Sequence, residues 1–461
     1  MPGAEDLKIC VIGAGSMSFM ANLVRDLAVT GGLHGATLAL MDVDPERLKM
    51  GYSLAKRYFE AVKADYRLEA TMDRREAIRD ADFVINLAFA IGYSNLGAMI
   101  EAAERHGYYR GLDATEWNMV NTYPTFTAYK QYVVALGIAE DMLELAPDAW
   151  LIQVSNPVFE ISTLLYRRTR GKLKIIGYCH GAVGGVELLA RRALGLDPRR
   201  VEFQVAGFNH VVFLTRFRYD GEDAYHLIDE WVEKRFEEFW RGTVLGPWEE
   251  TLSRAAVDMY RLYGLYPVGD TARSGTWKYH RDLRTKQYWY GPLGGVDSEI
   301  GWAIRLLLNR RAMERLRRLA FDPNVDILRE LPPTKSGERI VDIIDSIANR
   351  VERRLILNIP NKGALSRVPP DVFVEVPARI SGEKITPEQV EPLPSRLYSY
   401  VLYPRLERLE WALEAFEAGS RELLVDILMR DPRTRSYEQA REAVEAVLNL
   451  PFNEDMRRHY R

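Results

Sequence analysis

Cysteine is nearly absent: among 461 residues only Cys10 and Cys179 occur. That excludes a disulfide framework and leads to the expectation of a reducing, cytoplasmic compartment. Long apolar runs are missing as well. No stretch reaches the length that spans a bilayer, and the start lacks a basic segment followed by an apolar one, so neither membrane insertion nor a secretory leader is expected. Charge of one sign is not in excess: 65 acids against 62 bases give a net charge of -3, which offers no electrostatic case for nucleic acid or an anionic membrane. Internal repeats and low-complexity segments are also lacking. What is present is an ordinary composition, 47% hydrophobic, in a chain long enough for two cores.

The first recognisable unit reads strand, glycine turn, helix. Residues 7–12 are apolar and lead into Gly13-Ala14-Gly15-Ser16, and residues 21–29 carry helical periodicity. Glycines in such a turn let a phosphate approach backbone N–H groups at a helix N-terminus, although Ser18 stands where a third glycine is usual. A second strand ends in Asp42, where an acid is expected to accept from adenosine ribose hydroxyls and repel a 2′-phosphate. This favours NAD over NADP. Asp42 as a helix cap is the alternative, a job better suited to Asp44, which directly precedes Pro45.

Strands at 82–88 and 150–154 alternate with helices at 95–106 and 124–145, which predicts a parallel sheet. Asn156 follows the last of these strands, at an end where ligands bind, and faces either the nicotinamide and substrate or its own backbone in a turn before Pro157. After His210 the pattern changes. A strand at 211–219 and a hairpin-type turn at Asp220-Gly221 precede an amphipathic helix at 225–240. The aromatic and basic stretch 263–290 holds too much glycine and proline for long helices. Strands at 355–359 and 372–376 and helices at 396–418 and 437–448 complete the pattern. The expected fold class is α/β: a Rossmann-type doubly wound parallel sheet over 1–200, joined to an α+β substrate domain over 201–461.

Gly177-Tyr178-Cys179-His180-Gly181 sets a thiol at a strand end, and His210 closes another short apolar run. Sulfur plus imidazole suggests a divalent transition metal with positions left open for substrate, since no CxxC partner is present to close a structural site. The alternatives are a buried inert thiol and a satisfied core imidazole.

Together with these, Gly107-Tyr108-Tyr109-Arg110-Gly111-Leu112-Asp113, Asn156-Pro157, Val205-Ala206-Gly207-Phe208-Asn209-His210, Gly269-Asp270-Thr271, Asn358-Ile359-Pro360-Asn361-Lys362-Gly363 and Arg430-Asp431-Pro432-Arg433-Thr434 resemble glycoside hydrolase family 4, nearly end to end and in order. The resemblance implies a glycosidase outside the two-carboxylate scheme. In that family NAD takes hydride from sugar C3, a base removes the acidified C2 proton, the C1 bond breaks by elimination, water adds and hydride returns. A divalent cation, usually Mn2+, binds the sugar's O2 and O3.

Carried over by position, the resemblance makes Cys179 and His210 the metal ligands. Gly13, Gly15, Ser16 and Asp42 become the nucleotide site, and Asn156 a residue at both nicotinamide and sugar. Asp270 would be the base, or a turn cap, and His180 either an acid or a sugar donor. Asp113, Thr122, Asn209 and Arg273 fall on the substrate side. Asp113 has the alternative of capping a helix near Thr115, and Arg273, with Lys278 or Arg284, is either a counter-charge for a uronate or part of a solvated face. The Cys-His-Gly form is similar to α-glucosidase and α-glucuronidase members, implying an unphosphorylated α-hexoside. A homodimer or homotetramer is expected from the same resemblance. A plain NAD-dependent 2-hydroxy-acid dehydrogenase and a non-catalytic dinucleotide sensor remain the competing readings.

Overall fold

The computed structural model describes residues 6–16, 19–113, 127–275 and 277–461. Among them thirteen strands make one sheet. They are β1 (Lys8–Ile12), β2 (Thr37–Met41), β3 (Arg67–Thr71), β4 (Phe83–Asn86), β5 (Trp150–Gln153), β6 (Lys174–Gly177), β7 (Val201–Phe208), β8 (Val211–Tyr219), β9 (Glu222–Asp223), β10 (Tyr266–Val268), β11 (Arg353–Pro360), β12 (Phe373–Ser381) and β13 (Lys384–Pro387). Their order is β10-β8-β7-β12-β11-β6-β5-β4-β1-β2-β3, with β13 beside β12 and β9 beside β8.

From β3 to β6 every pairing is parallel, in the 3-2-1-4-5-6 order of a dinucleotide-binding sheet. Its inner strands are short, apolar and buried, as a sheet covered by helices on both faces requires. Beyond β6 all pairings turn antiparallel. The expected Rossmann-type half and α+β half are therefore both present, but one sheet runs through residue 200 rather than stopping there. The C-terminal helices also return to the first half. Arg405, on the helix Tyr403–Ala418, pairs with the fully buried Glu160 of the helix Val158–Arg168. Arg433 donates to the carbonyls of Tyr109 at 2.7 Å and Gly111 at 3.0 Å, so the tail motif clamps the Gly107–Asp113 segment.

Asp44 caps the helix Pro45–Val62 by accepting from Glu46 N and Arg47 N, as its place before proline suggested. The helix expected over 124–145 is seen as Tyr129–Leu145, residues 124–126 lying outside the described segments. The helices expected over 225–240 and 396–418 each contain a π-helical segment, Trp231–Arg235 and Tyr398–Leu402. The 23-residue helix Glu299–Phe321, capped by Ser298, was not anticipated. No helix among the described residues is long and apolar enough to cross a membrane.

Within the sheet the halves join at one pair, Gly177 of β6 opposite Asn358 of β11, and β12 reaches β7 through one more, Glu375 opposite Gly207. Those pairs lie on a single transverse row, Asn86, Gln153, Gly177, Asn358, Glu375, Gly207. Directly opposed residues share a face, so this row forms a buried polar band at the carboxyl ends of the central parallel strands. Within it Asn86 donates to Gln153 Oε1 at 2.9 Å.

Candidate active site

Cys179 follows the end of β6, and His210 lies in the two-residue turn, Asn209-His210, that joins β7 to β8. His210 has φ of 64°, a left-handed conformation uncommon for a side chain with a Cβ and tolerated here by the turn. The third element is the 3-10 turn Gly269–Ser274 after β10, which carries Asp270. Glycines let it come close: a Cβ on Gly185 would stand 2.1 Å from Gly269 N, and one on Gly269 would stand 2.5 Å from Gly181 O. Ligand atoms of Cys179, His210 and Asp270 consequently lie within 4.8 Å of one another, with Asp270 Oδ2 3.3 Å from His210 Nε2. Thiolate, imidazole and carboxylate make a donor set suited to a borderline divalent cation such as Mn2+ or Zn2+.

Burial pushes the Cys179 thiol up to about 12 and the His210 imidazole well below its usual value. Burial also lifts the Glu375 carboxyl to about 7. His180 stands outside the three-residue cluster. Its Nδ1 lies 3.1 Å from Glu338 Oε1, with 58% of the side chain exposed, and that bond raises its pKa.

The nucleotide turn has the expected form. Gly13 N and Ala14 N donate to Met41 O at 2.9 and 3.0 Å, and Ser16 N closes the turn on Gly13 O at 3.0 Å. A Cβ on Gly13 would sit 2.8 Å from Ala88 N, so only glycine fits this cradle. Asp42 is more occupied than its position suggests, because its Oδ2 accepts from Gly15 N at 2.9 Å and its Oδ1 from Asp44 N at 3.0 Å. Each oxygen keeps one lone pair beyond these bonds. Asn156 is preceded by β5, and its Oδ1 is a buried acceptor with no hydrogen-bond partner among the described residues.

Three substrate-side residues have partners within the chain. Asn209 is 3% exposed, and its Nδ2 donates to Glu375 Oε2 at 2.9 Å. Arg273 is not on a solvated face but buried between Asp270, with which it forms a close ion pair, and Glu250 at 3.7 Å. Lys278 is likewise held by Asp258 at 2.5 Å. Asp113 accepts from Thr127 N at 3.2 Å and from Thr127 Oγ1, and so ties together the two ends of the undescribed segment. Thr122 and Ser18 lie outside the described residues. Sequence reasoning missed Glu375, although a lone carboxylate inside Phe373-Val374-Glu375-Val376 was a legible signal.

Fold and site together define a dinucleotide-type α/β sheet bearing a thiolate–imidazole–carboxylate centre at its strand ends. Family models described as "Family 4 glycosyl hydrolase" and "Family 4 glycosyl hydrolase C-terminal domain" match residues 8–195 and 205–434. The chain belongs to glycosyl hydrolase family 4, and it is a glycosidase. An alpha-galacturonidase of Thermoanaerobacterium saccharolyticum is 27% identical over 93% of this chain and 94% of its own. An alpha-galactosidase of Bacillus subtilis is 25% identical over 93% of each. A 6-phospho-alpha-glucosidase from gut microorganisms, solved in complex with NAD and Mn2+, superposes with a TM-score of 0.76 at 17% identity, covering 98% of both chains.

Proposed function

We propose that the protein hydrolyses α-glycosidic bonds of unphosphorylated hexosides, with NAD and a divalent cation, Mn2+ first, as resident cofactors. The observation that carries this reading is the convergence of Cys179, His210 and Asp270. It is supported by the Gly13 cradle and by the names of the relatives, two of which act on α-linked galacturonide and galactoside. The chemistry supplied by the bound groups is removal of hydride from C3, its later return, and polarisation of the sugar's vicinal oxygens.

The chain's own residues do the rest. Cys179 and His210 would hold the cation. Asp270 takes the C2 proton on a carboxylate oxygen, aimed by the buried Arg273 guanidinium beside it. The orphan Asn156 Oδ1 accepts from a substrate or cofactor donor and fixes its orientation. Gly13, Gly15 and Ser16 shape the tight turn that the pyrophosphate approaches, and Asp42 binds the ribose. With Arg273 and Lys278 both engaged, a uronate carboxylate takes its counter-charge elsewhere, and Arg284 is the exposed base remaining of the three considered.

The test is a panel of aryl α-galacturonide, α-glucuronide, α-galactoside, α-glucoside and 6-phospho-α-glucoside under reducing conditions. Turnover of an unphosphorylated member that needs both NAD and Mn2+, with deuterium from D2O at product C2, is the expected result. Turnover of the phosphorylated member alone, or hydrolysis without C2 exchange, overturns the reading. Net NADH from a 2-hydroxy acid would instead mark a dehydrogenase, and tight NAD binding with no turnover at all a sensor.

A further inference from the structure

We infer that Glu375 is a positioning residue of the cation centre, acting through the Asn209 amide to fix the turn that carries His210. The inference rests on the reading of Cys179 and His210 as cation ligands. Glu375 is 1% exposed in the middle of β12, and among the described residues no Lys, Arg or His lies within ion-pair distance of it. Burying a carboxylate without a cationic partner costs several kcal/mol. Stability therefore gives no reason for an acid at this buried position.

Its partner supplies the reason. The Asn209 Nδ2 donates to Glu375 Oε2 at 2.9 Å. A carboxylate behind an amide polarises it and fixes its orientation. The turn bearing His210, the next residue, is thereby anchored to β12. The sheet makes room for this. Positions flanking Glu375 and Asn358 along the transverse row are Gly207 and Gly177, and a Cβ on Gly177 would lie 2.8 Å from Asn358 Cβ. Groups that orient a metal ligand from behind typically change metal affinity by roughly 10–100-fold when removed.

The experiment uses the full-length protein. Mn2+ binding is followed by the loss of the free-ion EPR signal, and Co2+ binding by its thiolate-to-metal absorption band. Glu375→Gln and Asn209→Ala are each expected to weaken Mn2+ binding by roughly 10–100-fold and to shift the Co2+ band. The double variant is expected to resemble Asn209→Ala alone. A mere structural anchor would lower the thermal midpoint and leave the band where it is. Parental Mn2+ affinity and an unshifted band in folded Glu375→Gln overturn the inference. If that variant does not fold, the same result in Asn209→Ala overturns it. Failure of the ligand reading looks different: the parent does not bind Mn2+, or Cys179→Ser binds it equally well.

Discussion

Asp270 sits at one end of a close contact with Arg273 and 3.3 Å from His210, so its carboxylate faces two jobs, ligand and base. Replacement by Asn separates them, because an amide still offers an oxygen to a cation but cannot take a proton. Asp270→Asn is expected to lower kcat by roughly 10²–10⁴-fold, abolish C2 exchange and leave Mn2+ binding nearly unchanged. A matched loss of Mn2+ affinity would make Asp270 a ligand instead. Cys179→Ser is expected to do the reverse, weakening cation binding while NAD binding, read by fluorescence titration, stays at the parental level. At this scale residue identity was legible and side-chain direction was not. The sequence picks out Cys179, His210 and Asp270, and they come together in space. Asn209 and Asp113 turn to partners 166 and 14 residues away, to Glu375 and Thr127, and no local pattern encodes such choices.

The element that matters most is the β7–β8 hairpin. Gly207 precedes the turn by two residues and adopts φ of 151°, and a Cβ there would come within 2.0 Å of Val211 O. Gly207→Ala is therefore expected to cost on the order of 3 kcal/mol, seen as a lower denaturation midpoint, and to weaken Mn2+ binding by displacing His210. The turn that bears Asp270 has its own support from behind. Lys286 Nζ lies 3.2 Å from His280 Nδ1, His280 Nε2 3.0 Å from Tyr290 Oη, and Tyr290 donates to Ala272 O at 2.8 Å. Strands and amphipathic helices with clear periodicity were legible from composition alone. The antiparallel extension beyond β6 was not, because its pairings join segments far apart in the chain, such as Gly177 with Asn358, where hydrophobic pattern specifies a face but no partner.

For the whole molecule, stability carries a pH signature from Lys286. Burial lowers its pKa from 10.5 to about 8, with Asp297, Glu250 and Glu299 opposing that shift and Arg110 and the neutral His280 beside it. The folded state thus binds fewer protons than the unfolded chain between those two values, and the sign of linkage makes folding more favourable as pH rises through that window. The destabilisation present below about 8, roughly 3 kcal/mol for a shift from 10.5 to about 8, is relieved on approach to 10.5. Lys286→Met is expected to remove this rise, and parallel denaturation curves for the two proteins from pH 7 to 10 would check it. A fragment of residues 1–200 is expected to fail as a folding unit. It leaves β6 as a bare edge and strips Glu160 of Arg405, so circular dichroism should show loss of fixed tertiary signal and size-exclusion should show aggregation.

The one-pair joins at Gly177–Asn358 and Glu375–Gly207 put Cys179 and His210 two and three residues beyond the same transverse row, on either side of the β11–β12 pair that lies between β6 and β7. The distance between the two ligand atoms is therefore set by how closely β11 and β12 pack in that row, and a side chain added at Gly177 or Gly207 would change it from behind, without touching either ligand.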